Sequence, residues 1–541
     1  MDKFDKIINE MTIDELIGQL ICYCVPGGND DATKASFEEK VKRTKPGSIF
    51  FNPSPDEKIK EFTRLANRNL KVPVIVAGDT ENGPNTLADC KTKLPNPIAW
   101  ASADDDTLIE RGGVETARVC RKAGLHWSFA PLVDIWFNKD CAECVRVISD
   151  SPAQVARIGS AYVRGQQKDG IFAACAKHFP GAGTDYRNPH FCNPENNMTK
   201  EEWDKTYGMV YKKMIADGVL SIMTGHYTFP AYQSDAEYDE IQGYRPATLS
   251  YELTTKLLRE ELGFEGVIVS DAMCMVGMAA YVPHDRLAIE CLKAGTDMLL
   301  FPGDDEFDFV KKAVEDGEIS IERIKESVKR VLKLKEKVSL LDASEPIAEP
   351  NGDIRAIAQE IADKSIKVVR DADHLIPISA KKGGKVLMVN LYLRAGWDNQ
   401  ARMGNFEYME KCLNDRGIKT ISLINPLYTE IKKIYEEEKP DYVLINSRHT
   451  ELDSLGNSRN ITWDNIMSMW EGIIFEHDKV IYTSFGDPFK LYELPFLRTY
   501  VNAYAMEDAS QEAFVKVLLG EIKPQGKNPV GLKGYFEREV E

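Results

Sequence analysis

The sequence predicts an α/β protein built from an N-terminal TIM (β/α)8-type barrel followed by a flavodoxin-like α/β sandwich domain. Short apolar runs rich in β-branched residues alternate with segments of helical periodicity over residues 1–340, and the alternation starts again near residue 373. Apolar strands separated by helices indicate a parallel sheet whose faces are covered. We therefore expect a barrel at 1–340, a linker with a helix at 341–372, and the sandwich at 373–541.

Seven apolar runs are the candidate barrel strands, and LIGQLICYCV offers an eighth. The seven are GSIFF (47–51), VPVIVAGD (72–79), HWSFAPLVD (126–134), FAACAKHF (172–179), GVLSIMTGH (218–226), GVIVSD (266–271) and MLLFPG (298–303). Helical segments such as SPAQVARIGSAYVRGQQKDG and SYELTTKLLREELG lie between them, and each ends at a glycine. This number of strand and helix pairs favours a TIM barrel.

The second alternation follows LDASEPIAEPNGD and a predicted helix, RAIAQEIADKSIKVV. Its candidate strands are KVLMVNLY, TISLINP, DYVLINS, VIYTSFG and FLRTYVNAY, and its candidate helices surround NFEYMEKCLNDRG, YTEIKKIYEEEK, WDNIMSMWEGIIF and SQEAFVKVLLGE. This pattern is typical of a parallel sheet with helices on both sides. No GxGxxG follows its first strand and no GxxxxGK[ST] occurs, so nothing indicates a bound nucleotide.

Charge and composition exclude several classes of partner. A formal net charge of −17 argues against nucleic acid and anionic lipid, because such binders need clustered basic surface. The N-terminus lacks the pattern of a signal peptide and no run of about 18 apolar residues occurs, so we expect a cytoplasmic protein with no membrane span. The 11 cysteines are scattered, as expected of reduced core thiols, and Cys141-Ala-Glu-Cys144 is a lone CxxC that favours a loop over a metal site.

Six polar side chains at the ends of five predicted strands point to one site. Their shared property is a place at the C-terminal end of an apolar run, and they are Asp79, Asp134, Lys177, His178, His226 and Asp271. In a barrel these ends converge on the face that carries the active site. Polar residues also end strands simply because loops are polar, but six together favour a functional site.

The chemistry open to this site rests on carboxylates and imidazoles. The sequence has no HExxH or paired CxxC zinc pattern and no GxSxG nucleophile elbow, so we expect no metal and no other cofactor. Asp271, fixed by the strand before it, suits a covalent nucleophile. His190 in TDYRNPHF lies in a polar loop, and histidine is a residue type suited to general acid/base work. His178 and His226 fit either packing or a hydrogen bond to substrate.

At this point the sequence resembles glycoside hydrolase family 3, and within it the bacterial β-N-acetylglucosaminidases. The resemblance runs through MTIDELIGQL, VPVIVAGDTENG, LPNPIAWAS, GLHWSFAPLVDI, AKHFPGAG, MTGHYTFPAY, RPATLSYELTTKLLREELGFEGVIVSDAM, SFGDPFKL and GKNPVGL. It implies a retaining exo-acting enzyme that releases β-linked N-acetylglucosamine from small glycans of chitin or cell-wall origin.

The resemblance also assigns roles to individual residues. It implies that Asp271 is the nucleophile that forms a glycosyl-enzyme intermediate and that His190 is the proton donor. The residues implied to bind the hydroxyls of the nonreducing-end sugar are Asp79, Arg146, Lys177 and His178, and we add His226 from its strand-end position. The family pattern of aspartate, serine and histidine aligns here with Asn188, Pro189 and His190.

Asn188 is therefore a departure with a chemical consequence. A carboxylate two residues before His190 would stabilise the imidazolium, whereas an amide orients the ring without adding charge. We expect reduced or acid-shifted activity unless Asp185 supplies the charge. The loops TENGP and RVIS, and Ala182, also differ from the family pattern, which puts sugar specificity in question more than fold.

Three alternatives remain open at this stage. Phosphate rather than water is a possible acceptor, because a neutral imidazole does not repel an anion. A β-glucosidase-like or β-xylosidase-like member would take its acid/base from the second domain, where SRHTELDSLGNSRN offers Glu451 beside Asp453. The third alternative is a sugar-binding protein that has lost catalysis.

Overall fold

The computed structural model describes residues 2–341, 352–379, 383–392, 405–448 and 476–541, together with Met467 and Met469. The chain forms two compact units. The first comprises Met1–Lys91, Ile109–Cys141 and Val155–Asp353, and the second comprises Thr92–Leu108, Ala142–Gln154 and Ile354–Glu541. Two short segments from the first third of the sequence thus belong to the second unit.

The first unit contains the predicted barrel. Its strands are β1 Ile21–Cys24, β2 Ser48–Phe51, β3 Ile75–Gly78, β4 Trp127–Ser128, β5 Cys175–Phe179, β6 Ser221–Thr224, β9 Val267–Ser270 and β10 Leu299–Leu300, and a separate hairpin is formed by β7 Tyr238–Asp239 and β8 Gly243–Tyr244. The barrel strands pair in parallel in the orders β10-β1-β2-β3-β4 and β5-β6-β9. Parallel bridges between Trp127 and Ala173 and between Val269 and Met298 join the two sheets. The α/β barrel expected from the eight apolar runs is confirmed.

Aromatic side chains fill part of the interior of this barrel. The rings of Phe50 and Phe129 stack with centroids 5.6 Å apart, and Trp127 meets Phe129 edge-on at 4.9 Å. Trp127 is fully buried, and its indole N–H donates to the Ser221 hydroxyl at 2.7 Å. The barrel interior is therefore a packed core, and reactive groups of such a barrel lie at the strand ends.

Helices cover the sheets of both units. Their bounds are Lys3–Asn9, Ile13–Gly18, Asp31–Thr44, Asp56–Asn67, Pro97–Ala103, Asp106–Ala123, Pro152–Gln167, Lys200–Lys205, Tyr207–Ala216, Val276–Ala279, His284–Ala294, Glu306–Glu315, Ile321–Lys337, Ile354–Ser365, Glu407–Asp415, Tyr428–Glu438, Lys490–Glu493 and Asp508–Leu518, with a π-helix at Glu252–Glu261. The sequence sets their ends. Thr12, for example, accepts from the N–H of Glu15 while the Glu15 carboxylate accepts from the N–H of Thr12, which is a capping box.

The second unit contains the predicted sandwich with one difference at its edge. Its strands are β11 Lys367–Asp371, β12 Lys385–Tyr392, β13 Lys419–Ile424, β14 Tyr442–Arg448, β15 Val480–Phe485 and β16 Thr499–Asn502, in the order β11-β16-β15-β14-β12-β13. All neighbours are parallel except β11 and β16. The prediction that the helix RAIAQEIADKSIKVV continues through IKVV was wrong. The helix ends at Ser365, and the β-branched residues that follow belong to the antiparallel edge strand.

Two sequence predictions fall outside the described residues. They are most of the WDNIMSMWEGIIF helix and the carboxylates Glu451 and Asp453. Among the helices of the described residues, none combines the length and apolar character that a membrane crossing needs.

Candidate active site

The candidate site lies where the barrel strands of the first unit end. Asp79 directly follows β3, Lys177 and His178 lie within β5, and Asp271 directly follows β9. Because these strands run parallel, their C-terminal ends meet on one face. The structure brings the side chains into contact: Lys177 Nζ lies 3.3 Å from Asp79 Oδ1, and His178 Nε2 lies 3.9 Å from Asp271 Oδ2.

A buried carboxylate holds His178 in place. Asp134 is fully buried, and its Oδ2 lies 2.8 Å from Nδ1 of His178. Its Oδ1 accepts the backbone N–H groups of His178 at 3.2 Å and Ala182 at 2.8 Å. An ionised carboxylate only accepts hydrogen bonds, so Nδ1 of His178 is the donor to Asp134. Nε2 is then directed at Asp271. Asp134, His178 and Asp271 therefore form a chain from the buried interior to the site.

Two glycines make this arrangement possible. Gly181 and Gly183 have φ of +117° and +114°, a region that side chains disfavour. A Cβ on Gly183 would lie 1.8 Å from the carbonyl oxygen of Ile135. The tight turn brings the N–H of Ala182, between them, onto the Asp134 carboxylate. The glycine-rich stretch after the Lys177-His178 pair is thus the backbone support of the imidazole.

Lys177 is shared by two carboxylates. Its Nζ lies 2.7 Å from Glu81 Oε1 and 3.3 Å from Asp79 Oδ1. The side chains of Lys177 and Glu81 are 5% and 12% exposed, whereas that of Asp79 is 43% exposed. Asp79 therefore offers its carboxylate to solvent, and Glu81 holds the ammonium group from the buried side.

Asp271 is a partly buried carboxylate that stays ionised. Its side chain is 15% exposed, and its Oδ1 accepts the N–H of Ala272 at 2.7 Å. Burial acts to raise the pKa of Asp271, but the imidazoles of His178 and His226, the Ala272 N–H and the charge of Lys177 outweigh it, so the pKa lies below its ordinary value. The group is an anion at neutral pH.

His226 supports the backbone next to Asp271. Its Nε2 lies 3.0 Å from the carbonyl oxygen of Ala272, so this nitrogen must donate, and its Nδ1 lies 3.0 Å from the Thr248 hydroxyl. The ring is fully buried, and burial lowers the pKa of His226. A neutral ring with both nitrogens engaged positions the residue that follows Asp271.

His190 is held by the side chain of Asn188. The backbone N–H and Nδ1 of His190 lie 2.9 Å and 2.8 Å from Asn188 Oδ1. A backbone N–H can only donate, so the Asn188 atom that faces it is the amide oxygen. The same oxygen faces Nδ1, so Nδ1 must carry a proton as well. Proton transfer by this ring would therefore use Nε2. Asn188 is 3% exposed, so its amide is a fixed support.

Asp185 is engaged elsewhere in the same loop. Its carboxylate accepts from Nε of Arg187 at 2.7 Å and from the N–H of Glu195 at 3.0 Å. Burial acts to raise the pKa of Asp185, but Arg187 and the backbone N–H groups outweigh it and the pKa lies below its ordinary value. The charge expected as a possible substitute for Asn188 is thus already neutralised by a guanidinium group.

Two predicted residues are not part of this group in the first unit. Arg146 ends the 3-10 helix Cys144–Arg146, in a segment of the second unit, and Glu451 lies outside the described residues. Within the described residues no cluster of three or more histidine, cysteine or acidic groups is arranged to hold a metal ion. Sequence reasoning missed Glu81, although it stands two residues after Asp79. It placed Asp134 among the strand-end residues but gave it no role, and in the structure Asp134 lies six residues beyond the end of β4.

Comparison with known proteins identifies the family. Residues 12–334 match the model described as the glycosyl hydrolase family 3 N terminal domain. A β-N-acetylglucosaminidase/β-glucosidase of Cellulomonas fimi is 30% identical over 85% of this chain and 84% of its own length. A β-hexosaminidase A of Pseudoalteromonas piscicida is 30% identical over 57% of this chain and 55% of its own length.

Solved structures agree with this over nearly the whole chain. A β-glucoside phosphorylase bound to 2FGlc has a TM-score of 0.86 and 26% identity, covering 98% of this chain and 97% of that one. A family 3 β-N-acetylglucosaminidase from Paenibacillus sp. str. FPU-7 has a TM-score of 0.81 and 26% identity, covering 96% and 99%. The resemblance found in the sequence is confirmed, and the chain belongs to glycoside hydrolase family 3.

Proposed function

We propose that this glycoside hydrolase is a retaining, exo-acting β-N-acetylglucosaminidase that acts on small glycans of chitin or cell-wall origin. The observation that carries the proposal is the ionised carboxylate of Asp271 at the end of β9, with His178 Nε2 3.9 Å away. A retaining glycosidase needs a nucleophile that is already an anion and is rigidly held. The relatives named as β-N-acetylglucosaminidases or β-hexosaminidases support the choice of sugar.

In the first step a bond forms between an Asp271 oxygen and the anomeric carbon, and the glycosidic C–O bond breaks. The electron pair leaves with the aglycone oxygen, which takes a proton from Nε2 of His190. In the second step His190 takes a proton from water, whose oxygen displaces Asp271 from the anomeric carbon. The Asn188 oxygen keeps Nδ1 protonated throughout, so Nε2 is the atom that moves the proton.

We propose that the sugar binds at the solvent-exposed side of the group formed by Asp79, Glu81, Lys177, His178 and Asp271. Asp79 is the most exposed of its carboxylates, and Lys177 beside it is a donor, so together they suit a pair of neighbouring hydroxyl groups. We propose that His178 contributes through Nε2 and that His226 acts as a positioning residue rather than as a direct ligand. The role of Arg146, which lies in a segment of the second unit, stays a prediction from the sequence.

Phosphorolysis is a second candidate. The amide of Asn188 leaves the His190 loop without the carboxylate that would repel phosphate, and a structural relative is named a β-glucoside phosphorylase. Against it stand three carboxylates: Asp79 and Glu81, which contact Lys177, and Asp271, whose pKa the charge of Lys177 lowers. This surplus of negative charge disfavours an incoming dianion, so water is the preferred acceptor. Turnover measured with and without inorganic phosphate decides between them.

Trapping tests the central assignment. A 2-fluoro derivative of the sugar should label Asp271 covalently, and peptide mass analysis should locate the label there. A label on another residue, or slow turnover that survives in the Asp271→Asn variant, would refute the assignment. Nitrophenyl glycosides run on His190→Ala and Glu451→Ala separate the two acid/base alternatives, because only the true proton donor should lose activity with poor leaving groups while keeping it with good ones.

A further inference from the structure

Three arginines surround one buried aspartate in the first unit, and we call this group of Arg259, Arg323, Arg330 and Asp297 the arginine cluster. Asp297 Oδ2 accepts from Nη2 of Arg259 at 2.7 Å, and its Oδ1 accepts from Nη1 of Arg330 at 2.9 Å. Nη1 of Arg323 lies 3.6 Å from the same Oδ1. The Asp297 side chain is fully buried, whereas those of the arginines are 16%, 23% and 24% exposed. The carboxylate is therefore enclosed, and the guanidinium groups reach solvent.

The arginine cluster lies where two barrel strands begin. Asp297 stands two residues before β10, and its Oδ2 also accepts the N–H of Ile268, in β9, at 3.0 Å. Nη1 of Arg259 donates to the carbonyl oxygen of Gly266, just before β9, at 2.8 Å. Asp271 follows the opposite end of β9. The arginine cluster is therefore on the face of the barrel that lies opposite the candidate active site.

The arginine cluster has an excess of positive charge. Its three guanidinium groups share one carboxylate, and none of them forms an ion pair with another carboxylate of the described residues. Burial lowers the pKa of Arg323 and the charges of Asp297 and Glu326 oppose this, but Glu326 is exposed and lies beyond ion-pair distance. The net charge of −17 on the whole chain acts weakly here, because salt screens charges more than about 8–10 Å apart. Like charges this close repel, and an added anion would relieve the repulsion.

The arginine cluster also has donors that the described residues do not use. Arg330 makes one hydrogen bond among them, from Nη1 to Asp297. The carbonyl oxygen of Thr296 accepts from Nη2 of Arg323 at 2.9 Å, but the buried hydroxyl of Thr296 has no hydrogen-bond partner in the described part of the chain. A guanidinium group presents its N–H groups as a planar fork that matches two oxygens of a phosphate. Charge and donors thus both suit a tetrahedral oxyanion.

We propose that the arginine cluster binds a phosphoryl oxyanion through the partly exposed guanidinium groups of Arg323 and Arg330. The excess of positive charge offsets the charge of about −2 on such a group. Arg259, which holds the backbone before β9, supports the site from the buried side. Because the site and Asp271 are at opposite ends of β9, the anion stabilises the barrel and is not an acceptor of the glycosyl group. Inorganic phosphate and the phosphoryl group of a sugar phosphate share this chemistry.

Isothermal titration calorimetry of the full chain with inorganic phosphate tests the site. The wild type should bind one phosphate, sulfate should compete with it, and chloride at equal ionic strength should not. Arg330→Met should lower the affinity at least about 10-fold, the scale of one charge-assisted hydrogen bond. Arg330→Lys keeps the charge without the planar fork, so its affinity should be intermediate. Arg118→Met is the matched control and should bind phosphate like the wild type, because Arg118 is 15% exposed and pairs with two carboxylates, Asp169 and Glu115.

Two results would overturn the inference. The first is that about 10 mM phosphate gives the wild type neither a heat of binding nor a higher midpoint of thermal unfolding. The second is equal affinity for phosphate in the wild type, Arg330→Met and Arg330→Lys, which would place the anion elsewhere. Glucose 6-phosphate identifies the source: binding at least about 10-fold tighter than phosphate indicates a phosphorylated sugar, and equal or weaker binding indicates free phosphate. These titrations contain no glycoside, so their outcome is independent of the proposed function.

Discussion

Replacing Asp134 by asparagine should destabilise the protein by about 3 kcal/mol. The carboxylate accepts three hydrogen bonds, from the N–H and Nδ1 of His178 and from the N–H of Ala182. Hydrogen bonds to a charged acceptor contribute about 1.5–3 kcal/mol each, against about 0.5–1.5 for neutral pairs, so three of them lose about 1 kcal/mol each. The asparagine amide also faces Nδ1 with its own donors, which forces the proton of His178 onto Nε2.

The free energy of unfolding by urea, followed by tryptophan fluorescence, measures this loss. Asp140→Asn is the control, since Asp140 lies in the same region, is 45% exposed and pairs with Lys139. An exposed pair of this kind contributes less than about 1 kcal/mol. Equal unfolding free energies for Asp134→Asn and Asp140→Asn would refute the view that the buried carboxylate organises this side of the site.

Three further perturbations test other parts of the molecule. Asn188→Asp should move the basic limb of the kcat/KM against pH profile upward by about one unit, because the new carboxylate stabilises the imidazolium of His190; superimposable profiles would contradict the role given to Asn188. Burial lowers the pKa of Lys335 to about 7. An unfolded lysine stays protonated to about pH 10.4, so wild-type stability should rise by about 1.4 kcal/mol per unit from pH 7 upward, and unfolding at pH 7 and 9 should show that Lys335→Met removes the rise. Gly183→Ala should lower kcat more than about 10-fold, because its Cβ would lie 1.8 Å from the Ile135 carbonyl, whereas Gly218→Ala, with nothing within 4 Å of its Cβ, should leave kcat unchanged.

Most strands of the two sheets could be predicted because they occur as short apolar runs bounded by polar or glycine residues. β9 is the clearest case, since GVIVSD contains the buried strand Val267–Ser270 and the aspartate that directly follows it. The strand β11 could not be read this way, because Lys367–Asp371 follows a helix without a turn signal. Its half-buried edge position comes from pairing with β16, which lies more than 120 residues further along the chain. The local sequence pattern does not indicate a partner at that distance.

The site residues at the strand ends could be predicted from the sequence, but the residues that hold them in place could not. Lys177, His178 and Asp271 stand out because charged or imidazole groups end apolar runs. The second carboxylate on Lys177 comes from Glu81, in a loop whose path is set by tertiary packing. The two nitrogens of His226 likewise depend on Thr248 and Ala272, which lie 22 and 46 residues away. Roles that depend on such contacts need coordinates.

The way the chain divides between its units has a consequence for dissecting the protein. The polypeptide passes between the two compact units after residues 91, 108, 141, 154 and 353. Contacts internal to the second unit, such as Ser102 to Ser365 and Ser149 to Pro529, join parts of the chain more than 260 residues apart. A fragment that ends at residue 340 would carry the helix Pro97–Ala103 and the segment with Arg146 without the partners that hold them. Neither unit is one continuous stretch of the chain, so truncation at residue 340 would divide the second unit.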